Sequence, residues 1–363
     1  MSQRRVYLHV GTPKSGTSYL QDKLALNRDV LERQGLDYVR TRKGDHFEPA
    51  LDLIGEKWAG EEKNVRGQWD ALVNEARRSR RHVLISHEIL AAAGPESVDR
   101  AMASFPEHEV HVVITARDLG RQIPAEWQER VKHRGGRDYA AFLKALQRNY
   151  TRTDWTVWFW RVQHLPRIIE TWGAALPPER IHLVTVPPAD GPRTALWERF
   201  ATVLGLSPRA SYAESETTNA SLGAAEVTML RRLNGALKDE GVPRTIYVNW
   251  VRESIVKEVL AQRPDKVLAT VPPRRRASVD EITASWLEDI RRSGVDVVGD
   301  LKDLEPVWPD DEDHWSDPDQ ADPAIVAEAA IEALAHVLSR VGRTPVADDD
   351  AGAVARLTRM LRG

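Results

Sequence analysis

The stretch HVGTPKSGTSYLQ, residues 9–21, carries the strongest structural signal in the chain. Residues 6–10, which lead into it, are mostly apolar and predict a short buried strand. Tyr19, Leu20 and Leu24 then recur with helical spacing, and a loop of glycine and hydroxyl residues lies between strand and helix. This order predicts an anion site, because loop amides converge there and the helix dipole favours negative charge.

The position of the lysine separates this loop from the common nucleotide-binding loop. A nucleoside-triphosphate loop has the pattern G-x-x-x-x-G-K-[ST], with the lysine directly after the second glycine. Gly11 and Gly16 keep that separation, but Thr17 occupies the lysine position and the lysine is Lys14, inside the loop. The segment PKSGT, residues 13–17, closely resembles the loop of the sulfotransferases, which bind the 5′-phosphosulfate end of 3′-phosphoadenosine 5′-phosphosulfate (PAPS).

This resemblance implies roles for individual residues of the loop. Lys14 would reach the oxygen that bridges sulfate and 5′-phosphate, and would stabilise charge on the leaving phosphate. Thr17 and Ser18 would offer hydroxyls and helix-start amides to the 5′-phosphate. No metal ion is expected, because the transferred group carries less charge than a phosphoryl group. The residues predicted to bind PAPS in this loop are Lys14, Ser15, Gly16, Thr17 and Ser18.

The composition is that of an ordinary globular protein and excludes several classes of function. The chain has 363 residues, of which 42% are hydrophobic, and its formal net charge of −3 argues against general nucleic-acid binding. The absence of cysteine excludes disulfides, thiolate metal sites and cysteine nucleophiles. The apolar run near the N-terminus is too short for a signal peptide, and no run approaches the ~18 residues of a membrane span. We therefore expect a cytoplasmic protein with no membrane span.

Further apolar runs alternate with helical patterns and predict a layered fold. Strands are predicted at residues 36–39, 83–85, 109–116 and 181–186. Strands alternating with helices favour right-handed βαβ units and a parallel sheet. The predicted fold class is α/β, with three α/β/α layers around a central parallel sheet, as the resemblance to the P-loop sulfotransferases also implies. Residues 1–206 would form this core, and residues 207–363, where no strong strand is predicted, would form a mostly helical extension packed on it. Residues 40–66 are predicted to be a long polar loop.

Polar side chains follow three of the predicted strands, at Lys14, at His87 and Glu88, and at Arg117. Ligands of parallel sheets bind outside the carboxyl ends of the strands, so these residues predict one active site. His87 or Glu88 would be the general base that accepts the proton of the acceptor. The resemblance leaves both open, since cytosolic sulfotransferases use a histidine just after this strand and carbohydrate sulfotransferases use a glutamate.

The segment RDLGRQIPAEW, residues 117–127, partly matches a second sulfotransferase motif. In that family a strand ends in R-[DN]-P, and a serine eight residues after the arginine shares the 3′-phosphate of the cofactor with it. Arg117 matches, but Leu119 replaces the proline and Ala125 stands where the serine should be. Arg117 is therefore predicted to bind the 3′-phosphate, with Arg121, Gln122 or the arginine run 274–276 as substitutes for the missing serine.

Three functional hypotheses follow from these patterns. The first is a PAPS-dependent sulfotransferase acting on a hydroxyl or amine of a small-molecule or carbohydrate acceptor. The second is a P-loop nucleotide kinase or another enzyme that binds a nucleoside triphosphate, which the displaced lysine disfavours. The third is a sulfotransferase-like protein that binds a ligand without catalysis, which the alanine at position 125 favours.

Overall fold

The computed structural model describes residues 3–41, 45–56, 65–150, 157–192, 194–207, 210–215, 221–309 and 315–343. Within these residues a sheet of six strands forms, in the order β2-β3-β1-β4-β5-β6, and every neighbouring pair is parallel. The strands are β1 (Arg5–His9), β2 (Leu36–Tyr38), β3 (His82–Ser86), β4 (Glu109–Ala116), β5 (Ile181–Thr185) and β6 (Asp296–Val298).

Strand β1 is central and positions the candidate site. In register, Leu8 lies opposite Ile85 of β3 and Val112 of β4, and all three side chains are buried. A continuous apolar run in a parallel strand is expected when helices cover both faces of the sheet. Because β3, β1 and β4 are neighbours and parallel, their carboxyl ends lie side by side at one edge.

The connections between the strands are helical. The helices are α1 (Thr17–Leu26), α2 (Arg28–Arg33), α3 (Phe47–Ile54), α4 (Gln68–Arg78), α5 (Pro95–Ala103), α6 (Leu119–Lys132), α7 (Tyr139–Tyr150), α8 (Trp158–Gln163), α9 (Leu165–Gly173), α10 (Ala195–Val203), α11 (Ala224–Ala236), α12 (Arg244–Ile246), α13 (Pro273–Ser293) and α14 (Pro323–Arg343). Helix α12 continues as π-helical turns over Tyr247–Val259. Short 3₁₀ turns cover Glu88–Ala92, Pro178–Arg180, Leu260–Gln262, Leu301–Leu304 and Pro318–Gln320.

One face of the sheet is covered by α1 and α10. Leu20 and Leu24 of α1 and Phe200 of α10 are fully buried in one apolar cluster with Tyr7 of β1 and Leu84 of β3. The helical spacing of the two leucines places both on the same side of α1. This packing holds the first turn of α1 at the carboxyl end of β1, where the sequence predicts an anion site.

The chain divides into two compact units. The first contains residues 1–129, 138–219 and 270–315, and the second contains residues 130–137, 220–269 and 316–363. The whole sheet belongs to the first unit. In the second unit the buried Arg263 guanidinium pairs with Glu226 of α11 at 2.8 Å and with Glu332 of α14 at 2.7 Å.

The predicted α/β fold with three layers around a parallel sheet is confirmed. Two local features differ from the sequence-based expectation. Helix α3 lies inside the segment predicted to be a long polar loop, and β6 was not expected after residue 207. Strand β6 has only three residues and begins with the exposed Asp296, so its hydrophobic pattern is weak. Helix α3 does have an apolar face, with five of its eight residues buried, but it is short and lies within an otherwise polar segment. The predicted division at residue 206 stays a prediction.

Candidate active site

The loop between β1 and α1 has an unusual backbone at three residues. Gly11, Lys14 and Gly16 all have positive φ, at 54°, 66° and 83°. Glycine adopts this region without steric cost, whereas lysine is strained there by about 1–3 kcal/mol. Close packing adds a second reason for the glycines, since a Cβ on Gly16 would lie 2.3 Å from Leu196 Cδ2.

Replacing Gly16 by alanine is expected to destabilise the protein by about 2–4 kcal/mol, from backbone strain plus overpacking against Leu196. Gly35 offers a matched control, because it has the same φ of 83° and nothing within 4 Å of its added Cβ. Gly35→Ala should therefore cost only the backbone term, about 1 kcal/mol. Urea unfolding of both variants measures the difference, and equal losses would show that Leu196 plays no part.

Two carbonyl groups of the loop turn into the protein. The Thr12 carbonyl accepts hydrogen bonds from Ser15 N at 3.3 Å and from Ser15 Oγ at 2.6 Å. The Pro13 carbonyl accepts from the side-chain amides of Gln122 and Gln163, both at 2.8 Å. Carbonyl oxygens repel an anion, and here they are engaged by donors of the protein. With Gly16 as its N-cap, α1 begins without a side-chain cap, which leaves its first-turn N–H groups for a ligand.

Lys14 lies within the loop and forms an ion pair with a residue that the sequence did not single out. Its Nζ lies 2.7 Å from Glu129 Oε2 on α6, and the Lys14 side chain is one-third exposed. An ion pair this accessible contributes little to folding stability. A bound anion therefore has only a weak competitor for the Lys14 ammonium.

Glu88 lies directly against the loop. A Cβ on Gly11 would be 3.2 Å from Glu88 Cβ, and Glu88 Oε2 accepts a hydrogen bond from Gln21 Nε2 of α1 at 3.0 Å. Burial alone raises the pKa of the Glu88 carboxyl. The nearby His87 and the hydrogen bond from Gln21 outweigh burial, so the net pKa is lowered. The carboxylate is therefore ionised at neutral pH.

His87 is oriented by the backbone N–H group two residues further along the chain. Its Nδ1 accepts a hydrogen bond from Ile89 N at 3.3 Å, and lies 3.9 Å from Glu88 Oε2. In a neutral imidazole whose Nδ1 accepts, the proton is on Nε2. His87 Nε2 then donates rather than accepts, so His87 is poorly placed to take a proton at that atom.

Arg117 follows β4 and is linked to the loop through Gln122. Its Nη2 donates to Gln122 Oε1 at 2.7 Å and to the Arg121 carbonyl at 3.0 Å. Burial, and secondarily the charge of Arg121, lowers the pKa of Arg117 to about 10, so its guanidinium stays charged at neutral pH. Arg121 itself pairs with Asp118 and donates to the Pro187 carbonyl.

A small cavity borders Arg117 and contains a second polar group. It is lined by Arg117, Leu119, Leu165, Thr283, Trp286, Leu287 and Leu304. Arg117 Nε and Thr283 Oγ1 are both buried, and neither has a hydrogen-bond partner among the described residues. Buried polar groups are seldom left without a partner, and the water-sized cavity beside this pair has room for a small acceptor only.

Two buried histidines beside the site were not predicted. His9 ends β1 and is fully buried, with Nδ1 2.7 Å from Ser86 Oγ and Nε2 3.1 Å from Thr115 Oγ1. His46 accepts from Ser86 N and bonds the Val39 carbonyl through Nε2 at 2.8 Å. Burial lowers the pKa of His9 to about 3 and that of His46 to about 4. The sequence offered a signal only for His9, which lies at the end of a predicted strand.

The other predicted site residues differ in their exposure and in their hydrogen-bond partners. Thr17 is buried at the start of α1 and Ser18 is exposed, while the Ser15 hydroxyl is used within the fold by Thr12 and Thr115. In the run 274–276, Arg275 donates to Gln147 and Arg276 donates to the Pro309 carbonyl. The structure thus brings Lys14, Glu88 and Arg117 to one edge of the sheet.

In the part of the chain that the structure describes, no group of three or more histidine, aspartate or glutamate side chains is arranged to hold a metal ion. None of the helices within the described ranges is long and apolar enough to cross a membrane.

Comparisons with known proteins give matches at the level of structure. The sequence matches no protein-family model, and no curated protein sequence is similar to it. A crystal structure of a sulfotransferase from Alicyclobacillus acidocaldarius is 14% identical, covers 68% of this chain and 99% of its own, and has a TM-score of 0.41. The sulfotransferase domain from the curacin biosynthetic pathway is 11% identical, covers 78% of this chain and 97% of its own, and has a TM-score of 0.34.

Proposed function

We propose that the protein is a sulfotransferase that moves a sulfuryl group from PAPS to a hydroxyl or amine of a small-molecule or carbohydrate acceptor. The observation that carries the proposal is the loop after β1, where the Thr12 and Pro13 carbonyls turn inward and Lys14 lies within the loop. Such a loop offers an anion several amides and one cation. With threonine in place of the lysine after Gly16, it suits a nucleoside triphosphate poorly.

Two groups of residues would bind the two charged ends of PAPS. The loop and the start of α1, including Thr17 and Ser18, would hold the 5′-phosphosulfate. Arg117 would hold the 3′-phosphate, and Thr283 is the candidate to replace the serine missing at Ala125. The support for this assignment is that Arg117 Nε and Thr283 Oγ1 line one cavity and are both buried without a hydrogen-bond partner among the described residues.

The reaction then requires two functions from the protein. When bound, PAPS supplies the activated sulfuryl group. The Lys14 ammonium would leave Glu129 and stabilise the negative charge that develops on the phosphate oxygen as the bond from that oxygen to sulfur breaks. Glu88 accepts the proton of the acceptor, because its carboxylate is ionised and lies against the loop, whereas Nδ1 of His87 is held by Ile89 N.

Isothermal titration with 3′-phosphoadenosine 5′-phosphate (PAP) tests the proposal. We expect PAP to bind the wild type and to bind Lys14→Ala much more weakly. Failure of PAP to bind the wild type would reject the proposal, and magnesium-dependent binding of ATP would favour a nucleotide kinase instead. Transfer of labelled sulfate from PAPS to any acceptor would exclude a protein that only binds its ligand.

Replacing Thr283 by valine is expected to weaken PAP binding about tenfold or more, because a hydrogen bond to a charged group contributes roughly 1.5–3 kcal/mol. Adenosine 5′-phosphate is the matched ligand, since it lacks only the 3′-phosphate, and its affinity should not change. Titration of both nucleotides against wild type and variant gives the ratio directly. If the variant kept the wild-type preference for PAP over adenosine 5′-phosphate, Thr283 would not be the replacement for the missing serine.

A further inference from the structure

A row of buried hydroxyls and one imidazole joins the two halves of the candidate site. The row runs from Ser86 at the end of β3 through His9 of β1 and Thr115 of β4 to Ser15 of the loop. The successive distances are 2.7 Å, 3.1 Å and 2.7 Å, and each of the four side chains is at most 1% exposed. With this burial, water has little access to these polar groups, so they depend on one another.

Both ends of the row are anchored at residues of the site. At one end, the Gln21 side-chain amide donates to Ser86 Oγ at 3.4 Å and to Glu88 Oε2 at 3.0 Å. At the other end, Ser15 Oγ donates to the Thr12 carbonyl at 2.6 Å, which is one of the two carbonyls turned away from the anion site.

Counting hydrogens fixes the direction of every bond in the row. A carbonyl only accepts, so the single hydroxyl hydrogen of Ser15 goes to Thr12, and Ser15 Oγ must accept from Thr115. Thr115 has then used its own hydrogen, so its oxygen must accept from His9 Nε2. A neutral imidazole carries one N–H, and His9 Nδ1 therefore accepts from Ser86.

The surroundings keep His9 neutral in this form. The ring is fully buried and packs edge-to-face against Phe200, with 4.8 Å between the two ring centroids. Both ring nitrogens face hydroxyl groups. Burial lowers the pKa of His9 and, together with the charge of His87, outweighs the charge of the Glu88 carboxylate, which favours the protonated ring. An uncharged histidine is also the state in which one nitrogen donates and the other accepts, as the row requires.

We propose that His9 is a positioning residue that holds the anion loop and the Glu88 carboxylate in one fixed arrangement through this one-way row of hydrogen bonds. The two nitrogens of the His9 ring are engaged by Ser86 and Thr115, so His9 acts on the anion loop and on Glu88 through these neighbours. The loop arm is Thr115 and Ser15, and the base arm is Ser86 and Gln21. The roles of the two arms in binding and catalysis rest on the proposed function, whereas the row of hydrogen bonds is independent of it.

Two mild substitutions cut one arm each and form a matched pair. Thr115→Val removes the hydroxyl that faces Ser15, and we expect PAP affinity to fall about tenfold with kcat at saturating PAPS changed less than threefold. Ser86→Ala removes the hydroxyl that faces Gln21, and we expect the reverse, with kcat about tenfold lower and PAP affinity within twofold. His9→Phe should show both losses, and His9→Gln, whose amide can donate and accept, should restore part of each.

The proposal would be overturned if Thr115→Val and Ser86→Ala changed PAP affinity and kcat to the same extent, in proportion to their losses in melting temperature. The row would then be a merely structural cluster. Nitrogen-15 NMR of the His9 ring gives a test that needs no activity, with His9→Gln identifying the signal. We expect a neutral ring with the proton on Nε2 from pH 5 to pH 8. A proton on Nδ1 overturns the row, whereas failure of the wild type to bind PAP overturns the proposed function.

Discussion

Lys14→Ala is expected to lower kcat for sulfuryl transfer by about 10²–10³, the usual cost of removing one group that stabilises developing charge. The KM for PAPS should rise less than about tenfold, because the bridging oxygen carries little charge before the bond to sulfur breaks. A loss concentrated in kcat indicates an interaction that forms mainly in the transition state. Steady-state rates with any competent acceptor measure both parameters.

A comparison of two nucleotides sharpens this prediction. In PAP the phosphate oxygen bears its full charge, so Lys14→Ala should weaken PAP binding more than it weakens PAPS binding. The variant also removes the cation that lies 2.7 Å from the Glu129 carboxylate. The double variant Lys14→Ala/Glu129→Gln separates loss of the positive charge from repulsion of the anion by Glu129.

Lys257→Ala is the matched control for Lys14→Ala. Lys257 is also paired with a glutamate, Glu253, but lies in π-helical turns of the second unit. Its replacement should leave both parameters within twofold. If Lys14→Ala kept more than a tenth of the wild-type kcat, the leaving phosphate would need a different source of stabilisation.

The features that were predictable from sequence are those set by local patterns. The strand before residue 10, the two glycines and the helix after them lie within about 20 residues of one another, and each has its own signal. The apolar run of β4 gave its bounds correctly, Glu109–Ala116, because eight residues of a doubly buried strand leave little ambiguity. The arrangement of Lys14, Glu88 and Arg117 at one edge then follows from parallel strands.

The contacts that tune the site were not predictable. Lys14 and Glu129 are 115 residues apart, and nothing in either local segment pairs them. Gln122 was considered only as a phosphate ligand, yet its amide holds the Pro13 carbonyl and its oxygen holds Arg117. Such pairs depend on where α6 lies relative to the loop, which periodicity does not determine.

Acid is expected to destabilise the protein through His9 and His46. Their folded-state pKa values, about 3 and about 4, lie below the ordinary value of 6.5 because both rings are buried. At pH values between the folded-state pKa and 6.5, the unfolded chain binds more protons than the folded chain, so stability falls as the pH decreases. The stabilisation is fully present above pH 6.5 and is lost progressively below it.

The size of the effect follows from the shifts. Each histidine should remove about 2 kcal/mol from the free energy of unfolding between pH 7.5 and pH 5, or about 4 kcal/mol together. This is a large part of the roughly 5–15 kcal/mol that stabilises a typical domain. Urea titrations at pH 5, 6 and 7.5, followed by tryptophan fluorescence, measure the decline.

His46→Gln isolates the contribution of one histidine. The glutamine amide can still donate to the Val39 carbonyl and accept from Ser86 N, the two bonds that His46 makes, but it does not titrate. At pH 7.5 the variant should therefore lose little stability, and between pH 7.5 and pH 5 it should lose about 2 kcal/mol less than the wild type. Parallel curves for the two proteins would mean that the His46 ring takes up a proton in the folded state, which requires one of its two backbone partners to move away.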